Sequence, residues 1–321
     1  MTMIYDEYDY KIPEGKRIRL IIDSDVKNEA DDPYAIIHAL LSPKFDNRGI
    51  VAAHFGNVRS PHSMQDSDTE LKHILQLMGL PEELAHPGAS KPLTQRNGQL
   101  ITDGVAAVPG QKPPSDGARF IIEEALREDT KEPLYVVCMG PLTDMALAWI
   151  CEPSIARKLT CIWIGGGAYP YGGFEYNLSN DILAAQTVMH SDLPLWQIPR
   201  DVYSEVLVSM AELQYKVKGC GILGRYLFEQ LEQCSHTSAS MATNRTGEFW
   251  CLGDSPGIGV LLADQLFGYE WRKAPGIRPD MTYTEEPDNR EIKVYHRVNS
   301  RYILEDFFAK LALYAQRQGT K

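Results

Sequence analysis

The stretch from Ile18 to Leu41, IRLIIDSDVKNEADDPYAIIHALL, constrains this chain more than any other. Ile18, Leu20, Ile21 and Ile22 form an apolar run, short and branched enough for a buried strand. Tyr34, Ile36, Ile37, Leu40 and Leu41 then recur at helical spacing. Pro33 suits the first turn of that helix, and Asp31 or Asp32 suits its cap. Between strand and helix lie Asp23, Asp25, Glu29, Asp31 and Asp32, five carboxylates within ten residues. They repel one another. An acidic group at the carboxyl end of a sheet strand sits at the mouth of a site. A hard divalent cation, calcium or magnesium, would remove the repulsion. A helix cap followed by a solvated acidic turn is the plainer alternative.

Strands and helices alternate through most of the remaining chain. Strands are expected at 49–55, 134–139, 160–164 and 194–198, with later ones at 279–284 and 291–298. Helices are expected at 66–79, 116–128, 144–151, 181–190, 209–233 with a glycine break, 257–267 and 302–316. The run 134–139, LYVVCM, is continuously apolar, as in a parallel sheet covered on both faces. The fold class is therefore α/β, an open, mostly parallel or mixed sheet with helices on both faces. Residues 86–117 read as one long loop. Residues 235–248 read as a polar, mobile stretch. With no evident linker, residues 1–321 are expected to form a single domain behind a polar lead-in, 1–16.

Charge narrows the partners. A net charge of −11 argues against nucleic acid or an anionic membrane and favours a cation. No apolar run is long enough to span a bilayer, and the acidic, aromatic N-terminus is unlike a signal peptide. The six cysteines show no CxxC pair and no zinc spacing, so they read as reduced, in a cytoplasmic setting. Gly165-Gly166-Gly167 is not a GxGxxG fingerprint.

Five pieces, in order, then form a resemblance. Asp23-x-Asp25 followed by Asp31-Asp32 resembles the DxDxxxDD signature of the inosine–uridine nucleoside hydrolase family. Gly56-Asn57 resembles its GN turn, and Gly140-Pro141-Leu142-Thr143 its GPLTN segment. Gly166-Gly167 leading to Glu175-Tyr176-Asn177 and Asp181 resembles GG…EFN…D, and Asp254-Ser255-Pro256 resembles HDP. The resemblance runs from about 18 to 312. It implies calcium-dependent hydrolysis of the N-glycosidic bond of a ribonucleoside or related N-riboside, giving ribose and free base. It puts Asp25, Asp32, the backbone carbonyl of Met139 and Asp254 on the calcium, with Asp25 also the general base to a calcium-bound water. Asp31, Asn57, Glu175 and Asn177 would hold the ribose hydroxyls. It also implies a homodimer or homotetramer and a role in nucleoside salvage.

The chemistry suits that assignment. C1′ becomes oxocarbenium-like as the bond breaks, and nearby carboxylates stabilise that charge more than the neutral ground state.

Four departures matter. Five residues, Val26 to Ala30, separate the second and third aspartates where the family has three. Either the turn bulges with its ligands in place, or Asn28 or Glu29 enters the site. Gly253 stands where the family places a histidine that assists the leaving purine, with His236 a distant substitute. Tyr169 replaces an expected asparagine; with Tyr176 it offers an aromatic face to a base, or else simply packs. Asp144 replaces another asparagine and suits a helix cap. Two rival functions remain. One is a non-catalytic ribonucleoside- or sugar-binding protein on the same fold. The other is a metal-dependent phosphohydrolase, which lacks a Lys/Arg clamp near the acids.

Overall fold

In the computed structural model, residues 8–237 and 247–318 are described. The first residues of the lead-in, and the middle of the polar stretch expected at 235–248, therefore lie outside them.

The central sheet has eight strands: β1 (Ile18–Ser24), β2 (Phe45–Ala52), β3 (Ala85–Pro87), β4 (Leu134–Cys138), β5 (Leu159–Ile164), β6 (Leu195–Ile198), β7 (Gly268–Lys273) and β8 (Glu291–Arg297). Their spatial order is β7-β8-β6-β5-β4-β1-β2-β3. Every neighbouring pair is parallel except β7 with β8. All seven residues of β1 are buried. Leu20 and Ile22 pack into one core and Ile21 into another on the opposite face, as period-two alternation requires. One core is closed by helices α1 (Asp32–Leu40), α7 (Gly221–Ser235), α8 (Ser255–Ala263) and α9 (Ser300–Gln318). The other is closed by α3 (Asp116–Ala125), α4 (Thr143–Cys151) and α6 (Ile182–Met189). The remaining helices used below are α2 (Ser63–Leu77) and α5 (Tyr176–Asn180).

The chain leaves β1 in one direction to build β2 and β3 and in the other to build β4, β5 and β6. The carboxyl ends of β1 and β4 thus flank the crevice where strand order reverses.

Two expectations are corrected. Residues 86–117 are not one loop: Thr94–Arg96, Gln99–Thr102 and Val105–Ala106 form a small antiparallel sheet. Its turns are Asn97-Gly98 (φ 52° and 78°) and Asp103-Gly104 (φ 51° and 79°), the left-handed pairs that favour two-residue hairpins. The edge strand β7 is not among the expected strands, because four of its six residues are exposed and it carries no buried apolar run. No helix among the described residues is long and apolar enough to cross a membrane.

Candidate active site

The acidic turn is built by anchoring its ends. Val26 and Ala30 are buried, while Lys27 and Glu29 are exposed. The Asn28 N–H donates to the Asp25 carbonyl at 2.7 Å, and Gln230 Nε2 holds the Ala30 carbonyl at 2.9 Å. The extra residues therefore bulge outward without moving the flanking acids out of the crevice. Arg59 fastens the bulge, with Nη1 at 2.7 Å from the Asn28 carbonyl and 2.6 Å from its Oδ1, and Nη2 at 3.1 Å from Glu29 Oε1. Lys27 turns away to Glu70 at 2.6 Å.

Both outcomes set out for the longer turn thus occur together. It bulges, and Asn28 and Glu29 also line the cavity at the sheet's carboxyl edge. The same cavity is lined by Asp25, Asp31, Asp32, Met139, Glu175, Tyr176, Asn177 and Asp254. Ile164, Tyr203 and Gly253 complete its wall.

The carboxylates have too few donors. Asp25 is 1 % exposed, and its Oδ2 has no hydrogen-bond partner. Asp32 accepts from Ser24 Oγ at 2.5 Å and lies within hydrogen-bond reach of Asp254. One oxygen each from Asp31, Asp32 and Asp254 falls within 4.8 Å of the others. Burial, reinforced by neighbouring carboxylates, pushes Asp25, Asp31 and Asp254 well above the usual carboxylate range. Burial also raises Asp32, to about 6, against the pull of its Ser24 and Asp254 hydrogen bonds. Protons or a cation must offset such a cluster. All-oxygen, anionic donors with an unsatisfied buried oxygen fit a hard divalent cation.

Glu175 is different. Its oxygens accept from the N–H groups of Gly166 (2.9 Å), Asn177 (3.1 Å) and Leu178 (2.9 Å) and from the Tyr203 hydroxyl (2.9 Å). It caps α5 while facing the cavity. Burial still raises it, opposed by those donors. Asn177 Nδ2 donates to the carbonyls of Met139 (3.2 Å) and Ile164 (2.9 Å), tying the ends of β4 and β5 together.

Three expected residues lie elsewhere. Asn57 sits in an exposed bend, since β2 ends at Ala52 and Gly56 turns the chain at φ 70°. His236 is paired with Glu232 at 2.9 Å, outside the cavity. Tyr169 donates to Gln197 Oε1 at 2.6 Å and stacks under Arg272, also away from the acids. Asp144 does not cap its helix, because the N-cap is Leu142; instead its buried carboxylate accepts from the Ala89 N–H at 3.1 Å and from Ser115.

Sequence reasoning missed Tyr203 and Arg59. A Cβ at Gly253 would stand 3.0 Å from Tyr203 Cδ2 and 3.4 Å from Asp31 Oδ2, so the Tyr203 ring crowds the space a side chain at 253 would enter. A second cavity of about 380 Å³ adjoins the acidic one and shares Glu29, Asp31, Glu175, Tyr176, Tyr203 and Gly253 with it. The rest of its wall is mainly aromatic and basic: Phe174, Phe249, Trp250, Arg59 and Arg200.

The profile of the inosine-uridine preferring nucleoside hydrolase family matches residues 20–302. A pyrimidine-specific ribonucleoside hydrolase of Salmonella typhimurium is 30% identical over 210 residues, covering 61% of this chain and 64% of that protein. The match therefore spans under two thirds of that curated relative. Among solved structures, a purine-preferring ribonucleoside hydrolase from Gardnerella vaginalis superposes with a TM-score of 0.71 at 21% identity, covering 93% of this chain and 99% of that one. A plant nucleoside hydrolase superposes with a TM-score of 0.70 at 21% identity, over 92% and 99%. These two likenesses establish the fold.

Proposed function

The chain belongs to the inosine-uridine preferring nucleoside hydrolase family, and from that premise we propose that it hydrolyses the N-glycosidic bond of a ribonucleoside or related N-riboside, releasing ribose and free base. The observation that carries the reading is the shared cavity of Asp25, Asp31, Asp32 and Asp254 with Glu175 and Asn177, opening onto an aromatic annex. Ribose fits the acidic part and the planar base the aromatic part.

Asp25, Asp32, Asp254 and the Met139 carbonyl would hold a calcium ion, which when bound supplies positive charge to offset the carboxylates and polarise a water. The Asp25 carboxylate, ionised in that setting, accepts the proton of the attacking water. Asp31 and the Asn177 side-chain carbonyl would hold ribose hydroxyls, with Glu175 lining the same site. Glu175, its oxygens already taking four donors, is a rigid wall of that site and fixes Asn177 and Tyr203 beside it. As the bond to the base stretches, the surrounding carboxylates stabilise the cationic sugar. A deoxynucleoside would strand the hydroxyl acceptors unpaired and should react far more slowly.

The test is release of reducing sugar from purine and pyrimidine ribonucleosides against their 2′-deoxy counterparts. The expected result is release from the ribosides only. Equal release from both, or from neither, contradicts the reading. The longer acidic turn and the missing side chain at Gly253 motivate one alternative, a riboside-binding protein without turnover, which would show affinity and no release.

A further inference from the structure

Breaking a C1′–N bond sends the electron pair onto the base. A base that leaves unassisted is a poor anion, so it needs either a proton or a nearby positive charge. No histidine, the side chain best suited to protonate a base at neutral pH, lines the annex among the described residues. Gly253 has no side chain. The Tyr203 hydroxyl is committed to Glu175 at 2.9 Å, and burial beside that carboxylate drives its ionisation far up. Burial likewise raises Cys251. Among the described residues lining the annex, the only cationic side chains are Arg59 and Arg200.

Arg59 is the one at the junction. Its partner Glu29 and the ring beneath it, Tyr176, line both cavities. The guanidinium carbon lies 4.8 Å from the Tyr176 ring centroid, and the bulged turn holds the group in place. Three of its five N–H donors are taken by Asn28 and Glu29, which leaves two without a partner among the described residues. Arg200 instead bonds the Phe174 carbonyl at 3.0 Å, and neither of these residues lines the acidic cavity.

We infer that Arg59 is a leaving-group residue, donating N–H bonds to the base as it departs. This rests on the nucleoside hydrolase reading. The C1′–N bond breaks with both electrons on the base. Water adds to C1′ and yields a proton to Asp25, which passes it to solvent. The base anion, its charge spread over ring oxygens and nitrogens, is stabilised by the guanidinium until solvent protonates it. The two additional residues of the acidic turn thus acquire a purpose: Asn28 and Glu29 hold the cation that replaces a proton donor.

The experiment compares wild type, Arg59→Gln and Arg59→Lys on inosine and uridine and on 4-nitrophenyl riboside, whose nitrophenolate leaves as a stable anion without help. For Arg59→Gln, kcat on the nucleosides is expected to fall about 100-fold, the scale of losing one donor to a developing anion, with a change under about threefold on the nitrophenyl riboside. Arg59→Lys should recover part of the loss on nucleosides, since it keeps the charge but not the fork. If Arg59→Gln slows both substrate types alike, Arg59 merely holds the turn and the inference fails. If it slows neither, the inference also fails. A wild type that cleaves no riboside at all would instead refute the hydrolase reading, and this inference with it.

Discussion

The protein buries two sets of carboxylates at the carboxyl edge of one sheet, and they are handled in opposite ways. Asp144 and Asp181 are fully provided for. Asp181 accepts from the N–H groups of Leu93 at 2.8 Å and Ala184 at 2.9 Å and from Thr143 Oγ1 at 2.7 Å. Thr143 in turn meets His54 Nε2 at 2.9 Å, and burial holds that imidazole neutral, down at about 4. Asp25, Asp31, Asp32 and Asp254 are as deep or nearly so, yet crowd one another and leave Asp25 Oδ2 unpaired. Burial alone therefore does not mark an ion site; burial without donors does. Asp23 marks the limit of that rule. Its Oδ1 is also unpaired, but its Oδ2 accepts from Cys138 Sγ at 4.0 Å, and it lines neither cavity and stands outside the cluster of Asp31, Asp32 and Asp254.

The contrast is broken most sharply by removing the unpaired charge. Asp25→Asn should fold normally and lower turnover on the order of 1,000-fold, because ligand and proton acceptor are lost together. Near wild-type sugar release from that variant would sink the assignment. The opposite set should respond in stability. Asp181→Ala strands two N–H groups and a hydroxyl, and should cost about 3 kcal/mol in denaturant unfolding while leaving calcium affinity intact.

Much of this was legible in the sequence. Buried parallel strands have no choice but to be apolar, so 18–22, 134–139 and 160–164 stood out, and the acids that follow β1 were visible because they interrupt such a run. Other parts were not visible, for separate reasons. The small antiparallel sheet is signalled only by the turn pairs Asn97-Gly98 and Asp103-Gly104, between strands too short and exposed to show a period. Asn57 was placed by a strand expected to end three residues later than it does. Tyr203 meets Glu175 across 28 residues and Arg59 meets Asn28 across 31, pairings that no local period encodes.

A third prediction sharpens the contrast through ligand linkage. Calcium at about 100 times its Kd should stabilise the protein by about 2.7 kcal/mol. Asp254→Asn should abolish most of that thermal shift, and Asp144→Asn should retain it. Equal loss in both would erase the distinction between the two sets.

The smallest effect is in pH dependence. Burial raises Asp181 from an ordinary 3.8 to about 6, against its three donors. A raised carboxyl contributes stability that is fully present below the unfolded value and is lost as pH rises through 6. Relative to Asp181→Asn, the wild type should thus lose about 1 kcal/mol between pH 5 and pH 7.5. A flat difference across that window would mean Asp181 stays ionised throughout.

The most direct test of the central claim is sugar release from a panel of ribonucleosides, measured with calcium and with chelator on the same preparation. The account predicts release that chelator abolishes and calcium restores. Release indifferent to chelator would contradict the reading of Asp25, Asp32, Asp254 and Met139 as a calcium site.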